Sequence, residues 1–207
     1  MSSSIGTQLE GERRTYLHWG QVIYSDQKKH HRRSIRSRDW DYRAAATYFV
    51  ILVTDKRVCL FGDVENNQIR LNKYGQVIET EWLRTAEIRP NIELDEIVIM
   101  PNHFHAILII HDDDHIQMGV RVTATDLTGP PSGSLGAIMA QFKSIYTKRI
   151  NVSRKTSCIR VWQRNYYERI IRNERELDAT RQYILNNPVN WSDDPDSPTN
   201  VRMKISD

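Results

Sequence analysis

Met100-Pro101-Asn102-His103-Phe104-His105-Ala106-Ile107-Leu108-Ile109-Ile110 is a short turn that opens into an apolar run. Read as a strand from His103 to Ile110, it alternates faces. His103 and His105 then project together, while Phe104 points the other way into a core. Two imidazoles on one sheet face make a candidate metal site, and equally a pair of satisfied histidines at the start of a strand. Just upstream, Ile92 to Met100 reads as a second strand, which Pro101-Asn102 turns into the His103 strand as a tight antiparallel hairpin.

The pattern of elements around this hairpin sets the fold class. Ala46 to Thr54 is a β-rich continuous apolar run of central-strand character. A turn at Phe61-Gly62-Asp63 and a weak strand near Gln68 to Leu71 follow it. Gln76 to Arg89 carries Val77, Ile78, Trp82, Leu83, Ala86 and Ile88 close to helical spacing, and Pro90 stops it. Ser134 to Val152 is a second helix, with Leu135, Ile138, Met139, Phe142, Ile145, Tyr146 and Ile150 on an inward stripe. Tyr166 to Ile171 reads as the last strand. Asn173-Glu174-Arg175-Glu176 looks like a capping box that opens a third helix, running to about Asn187 before Pro188 ends it. Strand, helix, strand, strand, helix, strand is the βαββαβ split pattern of ferredoxin-like folds, an α+β class with a largely antiparallel sheet. Helices are expected on one face, leaving the other for a site, with one helix added at the C-terminal end.

At 207 residues the chain is long enough for one well-cored domain. We divide it into a basic arm over 1–44, a domain over 45–191 and an acidic, disordered tail over 192–207. Lys and Arg number 29 against 26 acids, a net charge of only +3, but the basic residues cluster. In the arm, Arg32, Arg33, Arg36 and Arg38 interleave with Trp40 and Tyr42, a pattern that could hold phosphates and stack on bases or simply keep a tail soluble. On the second helix, Lys143, Lys148 and Arg149 lie outside the apolar stripe and form a candidate phosphate-binding edge. The two cysteines, Cys59 and Cys158, suggest neither a disulfide framework nor a thiolate metal site. The N-terminus lacks the apolar core of a secretory signal, and no apolar run is long enough to cross a bilayer, so a cytoplasmic protein is expected. The loop from His111 to Gly133 begins with Asp112-Asp113-Asp114. Those acids stand about 20 Å of extended strand from His105 and so should not share a metal with it.

The third helix supplies what the histidine pair lacks. Tyr183 and Asn187 are four residues apart, hence one turn apart on one helix face. The same spacing also suits a core tyrosine followed by a C-terminal cap. A divalent cation held by His103, His105 and the amide oxygen of Asn187 could bind a non-bridging oxygen of a scissile phosphate, and Mg²⁺ or Mn²⁺ suits such an open set. Tyr183 would attack phosphorus, with Lys143, Arg164 and Arg172 as candidate cations favouring its phenolate. Tyr166 and Tyr167 are rival tyrosines on a strand, where at most one can face the site.

Four ordered segments carry a resemblance: Val98-Ile99-Met100-Pro101-Asn102-His103-Phe104-His105; Gly133-Ser134-Leu135-Gly136-Ala137-Ile138 followed by Phe142-Lys143-Ser144; Val161 to Glu174; and Tyr183-Ile184-Leu185-Asn186-Asn187-Pro188. Together they resemble the REP-associated tyrosine transposases, members of the HUH superfamily of single-tyrosine nucleases, with Phe104 as the hydrophobic U. The resemblance runs from about Arg32 to Trp191. It implies an HUH fold acting on single-stranded or hairpin DNA of repetitive extragenic palindromes, by cleavage and rejoining through a covalent phosphotyrosine. It also implies His103, His105 and Asn187 as metal ligands, Tyr183 as nucleophile, and a monomer without membrane partners. Residues 1–27 and the particular loop from His111 to Ser132 have no counterpart in it. The competing readings are a host-adopted protein that binds DNA hairpins for structural or regulatory ends and, less well matched for want of a fourth soft ligand, a structural zinc protein.

Overall fold

The computed structural model of the protein describes residues 44–112, 130–194 and 197–198. The arm arginines Arg32, Arg33, Arg36 and Arg38 therefore lie outside the described residues, as do Asp113 and Asp114. Strand β1 spans Ala46–Val53 and runs antiparallel to the His103 strand, in a register from Ala46 opposite Ile110 to Val53 opposite His103. Numbered in chain order, the other strands are β2 (Gly62–Glu65), β3 (Gln68–Leu71), β4 (Ile92–Ile99), β5 (His103–Ile110) and β6 (Tyr167–Ile171). The main sheet has the order β4-β5-β1-β6 with every neighbour antiparallel. Two central strands flanked by two edge strands in this order are what a βαββαβ chain builds in a ferredoxin-like fold.

Strands β2 and β3 form a separate hairpin between β1 and the first helix. Its turn residues Asn66 and Asn67 have φ of 52° and 62°, the left-handed pair that a two-residue hairpin turn requires and that asparagine tolerates. Sequence reading anticipated only a turn and the second strand, because four mostly exposed residues carry little periodic signal. Gly62 is required here: at φ +149° a Cβ would stand 2.1 Å from the Arg70 carbonyl oxygen.

The helices are α1 (Lys73–Glu87), α2 (Leu135–Ser153) and α3 (Glu174–Asn186). Helix α1 starts before the expected Gln76 because Asn72 caps it, its Oδ1 accepting from the backbone N–H of Tyr74 and Gly75 at 2.8 and 3.2 Å. Ser134 and Asn173 cap the other two at the expected places. The box at α3 closes differently, with Glu176 Oε2 accepting from the N–H of Arg172, the residue before the cap, at 3.1 Å.

Helices α1 and α2 cover one face of the sheet. Trp82 of α1 packs edge-on against Phe104 of β5 and Phe142 of α2, with ring centroids 5.0 and 5.3 Å apart. Tyr48, Val50 and Leu52 join this core from β1, and Ala106, Leu108 and Ile110 from β5. The alternate residues Phe49, Ile51 and Ile107 form a second cluster with Leu177 and Ile184 of α3. The face expected to be open is therefore covered by α3. The physical reason is visible in the continuous apolar runs of β1 and β5, which bury both faces and need a layer on each. Among the described residues, no helix is long and apolar enough to cross a membrane.

One polar strut fixes α3 in place. The β4–β5 register slips between Leu94 and Ile97, and Asp95 in that bulge receives Arg181 Nε at 3.0 Å and Nη2 at 2.5 Å. A fork-on-carboxylate pair of this kind defines direction as well as distance. It therefore sets the roll of α3, and with it where Tyr183 points.

Candidate active site

The turn at Pro101-Asn102 is held by backbone hydrogen bonds on several sides. The Pro101 carbonyl accepts from Leu60 and Phe61 at 2.7 and 3.0 Å, and the Asn102 carbonyl accepts from Thr54 at 2.9 Å. From this rigid start β5 projects His103 and His105 onto the α3 side, 1% and 3% exposed, with ring centroids 4.6 Å apart. Burial holds the His103 pKa down to about 3, with the Arg57 cation adding to it and Asn187 opposing. Burial and the neighbouring His103 ring push that of His105 well below its ordinary value. Both rings are neutral near pH 7, the form in which imidazole ligates metals.

Asn102, read from the sequence only as part of a turn, orients the first ring. Its Nδ2 donates to the Arg57 carbonyl at 3.1 Å, which leaves Oδ1 to accept from His103 Nδ1 at 2.9 Å. The proton thus sits on Nδ1 and the lone pair on Nε2. That Nε2, like Nδ1 of His105, is buried without a hydrogen-bond partner. An orienting acceptor behind a histidine and an unsatisfied ring nitrogen in front of it are what a metal-ligating histidine requires.

Tyr183 stands beside the pair, half-buried, its ring 5.5 Å from that of His105 and edge-on to Phe49 at 6.0 Å. Asn187, 4% exposed, follows one turn later. Its Nδ2 donates to the Tyr183 carbonyl at 2.9 Å, which turns the amide nitrogen back on the helix and leaves the oxygen for the pocket. The cap and candidate-ligand readings of Asn187 are thus compatible in one side chain. Among the described residues no three His, Cys, Asp or Glu side chains converge, so the donor set is two imidazoles and an amide. Such a set fits an open site for a hard divalent ion and not a closed structural zinc.

None of the expected cations is among the groups that act on the Tyr183 phenol. Burial raises the Tyr183 pKa, with Asp194 and Tyr167 adding to it and Asn187 opposing. Lys143 instead turns its ammonium to the carbonyls of Gln163 and Arg164 at 2.6 and 3.2 Å, with its pKa lowered to about 8 by burial and by Arg160. Arg149 pairs with Glu81 at 2.6 Å, while Lys148, Arg164 and Arg172 are exposed. Of the rival tyrosines, Tyr166 packs with the α1 and α2 core, whereas Tyr167 meets Phe49 on the Tyr183 side at 6.2 Å.

Sequence reading missed three further residues at the site. Trp191 lies 5.9 Å from the His103 ring, and Asp194 Oδ2 lies 3.9 Å from His103 Nε2. Both sit at or beyond the boundary placed between domain and acidic tail, Trp191 opening a short 3-10 turn over Trp191–Asp193 and Asp194 capping its end. The third, Arg57, follows a turn in which Lys56 and Arg57 both have φ of 55°. Only Asn102 carried a local signal, as the neighbour of a candidate ligand that would need an orienting partner.

An uncharacterized protein of Haemophilus influenzae is 39% identical over 171 residues, covering 80% of this chain and 92% of that one. No protein-family model matches the chain. Among solved structures, that of the REP-associated tyrosine transposase bound to a REP hairpin superposes with a TM-score of 0.51 at 19% identity, over 75% of this chain and 74% of that one. A proposed transposase from Deinococcus radiodurans gives a TM-score of 0.41 at 15% identity, over 73% of this chain and 95% of that one.

Proposed function

Since the chain belongs to one family with the Haemophilus influenzae protein and has the HUH fold of the REP-associated tyrosine transposase, we propose that it is a single-tyrosine DNA nuclease and strand transferase. Its substrate on this reading is single-stranded or hairpin DNA, of the palindromic kind that the structural relative binds. The observation that carries the reading is the pair of buried, unpartnered nitrogens, His103 Nε2 and His105 Nδ1, beside the Tyr183 ring.

His103, His105 and the Asn187 oxygen would hold Mg²⁺ or Mn²⁺, which when bound neutralises charge on a non-bridging phosphate oxygen. The protein's own groups do the rest. Asn102 keeps the His103 lone pair on Nε2. Phe49 and the Asp95–Arg181 strut hold Tyr183 in place. The Tyr183 oxygen attacks phosphorus as the bond to one sugar oxygen breaks; the phenol proton leaves and the departing sugar oxygen gains one. The phosphotyrosine keeps the energy of the broken diester, so a strand hydroxyl can reverse the step without an external energy source. A protein that only gripped hairpins would have no use for a half-buried phenol beside two neutral imidazoles.

The test is covalent attachment to a hairpin oligonucleotide in Mn²⁺, read on a denaturing gel. Tyr183→Phe abolishes the adduct while hairpin binding is retained. An undiminished adduct would move the nucleophile to Tyr167, the rival on the same side of the sheet.

A further inference from the structure

A groove of about 250 Å³ opens between α1 and α2, on the face of the sheet opposite the histidines. Its walls bring Arg84, Arg89 and Arg149 around Glu81, with Gln141 and the buried Thr85 also lining it. Glu81 is 5% exposed and its Oε1 forms ion pairs with Arg149 at 2.6 Å and Arg84 at 3.8 Å, so one carboxylate answers two guanidinium groups. Arg89 has no carboxylate partner among the described residues. It is half-buried and its donors go to neutral oxygens, Nη2 to Gln141 Oε1 and Nη1 to the Thr85 carbonyl at 3.5 Å. Burial disfavours its charge, and among the described residues no anion relieves it. Three cations around one anion leave two positive charges in a concave site, where low-dielectric walls strengthen their field. Lys148 stands exposed on α2 next to Arg149.

We propose that this groove is a second anion site, built to take a phosphate group of the bound nucleic acid away from the scissile one. Arginine forks match phosphate oxygens in geometry and tolerate partial burial better than lysine, which suits Arg84, Arg89 and Arg149 to the task. Gln141 adds an exposed neutral polar group without adding charge. The phosphate chemistry of the groove stands on its own geometry; that the phosphate belongs to DNA rests on the function proposed above. The groove is a grip, remote from Tyr183, so it governs affinity and its salt dependence.

Two measurements on the full chain separate these parts. The first compares thermal unfolding in phosphate and in chloride at equal ionic strength. Inorganic phosphate raises the midpoint of the wild type and leaves that of Arg89→Gln where chloride put it. The second follows hairpin DNA binding by fluorescence anisotropy across a salt series. The slope of log K against log salt becomes shallower by about 1 in Arg89→Gln, the loss of one phosphate contact. Exposed Arg84→Gln, which leaves the Glu81–Arg149 pair intact, should do likewise and serves if Arg89→Gln does not fold. Phosphate stabilisation with an unchanged slope would overturn the nucleic-acid source and leave a site for a small phosphorylated ligand. No phosphate effect and no change of slope would overturn the proposal altogether. A wild type that binds no hairpin would refute the DNA reading of the whole protein, while the phosphate comparison would still decide the chemistry of the groove.

Discussion

Replacing Asn102 by alanine tests whether the amide behind His103 sets the tautomer of that ring. The side chain is 0% exposed and makes two hydrogen bonds, to the Arg57 carbonyl at 3.1 Å and from His103 Nδ1 at 2.9 Å. Alanine removes both. Each buried polar group left alone costs about 1–3 kcal/mol, so the fold loses roughly 2–6 kcal/mol if nothing rearranges. The ring has one escape: its proton can move to Nε2, which lies 3.9 Å from the Asp194 carboxylate. That relieves the stranded donor and brings the loss toward the lower figure. It also converts the nitrogen offered to a metal from a lone pair into an N–H. Loss of an orienting partner typically lowers metal affinity or activity by about 10–100-fold. The assay is hairpin cleavage as a function of Mn²⁺ concentration, run beside thermal unfolding and hairpin binding without metal. The half-saturating Mn²⁺ concentration rises by about 10–100-fold while metal-free binding persists. Asn102→Asp, which keeps an acceptor for Nδ1, retains most of the metal affinity. A folded Asn102→Ala protein with unchanged Mn²⁺ dependence would refute the reasoning.

Two further outcomes follow from the same site. The fold favours neutral His103, whose pKa is down to about 3 from the ordinary 6.5, so its stabilising contribution is complete above about pH 6.5 and is lost as the pH falls toward 3. In metal-free buffer, urea unfolding between pH 7 and 4 should show a steeper acid loss for the wild type than for His103→Gln, by at most about 3 kcal/mol over that range; parallel curves would contradict it. If the Asp95–Arg181 pair aims Tyr183, Arg181→Met slows covalent attachment about 10–100-fold with hairpin affinity retained, and exchanging the two residues in one double variant restores part of the rate. Equal losses in rate and affinity would reduce the pair to a structural role.

What was legible in the sequence is what local periodicity encodes. Alternation along β5 put His103 and His105 together, helical spacing put Tyr183 over Asn187, and the apolar run of β1 marked a central strand. The cap Asn173 was visible because a cap is a contact between near neighbours. Periodicity says which residues share a face but not which face meets which. Arg149 and Lys143 were read as one solvent edge of α2, yet the first is drawn to Glu81 on α1 and the second to the carbonyls of Gln163 and Arg164. Residue type could not separate them, since the partner decides whether a cation is a structural tie or a free charge. Nor does any local signal bring Asp194 to His103, because that approach depends on how the chain leaves α3. The decisive contact for the candidate site is of this hidden kind. Two halves on β5 and α3 face each other only because α3 crosses the sheet on the histidine side, locked by Arg181 onto a bulge in β4 at Asp95. A bulge sets two residues, here Asp95 and Glu96, against one on the partner strand and breaks the alternation that sequence reading relies on. The irregularity that aims the tyrosine is thus the one a pattern search discards as noise.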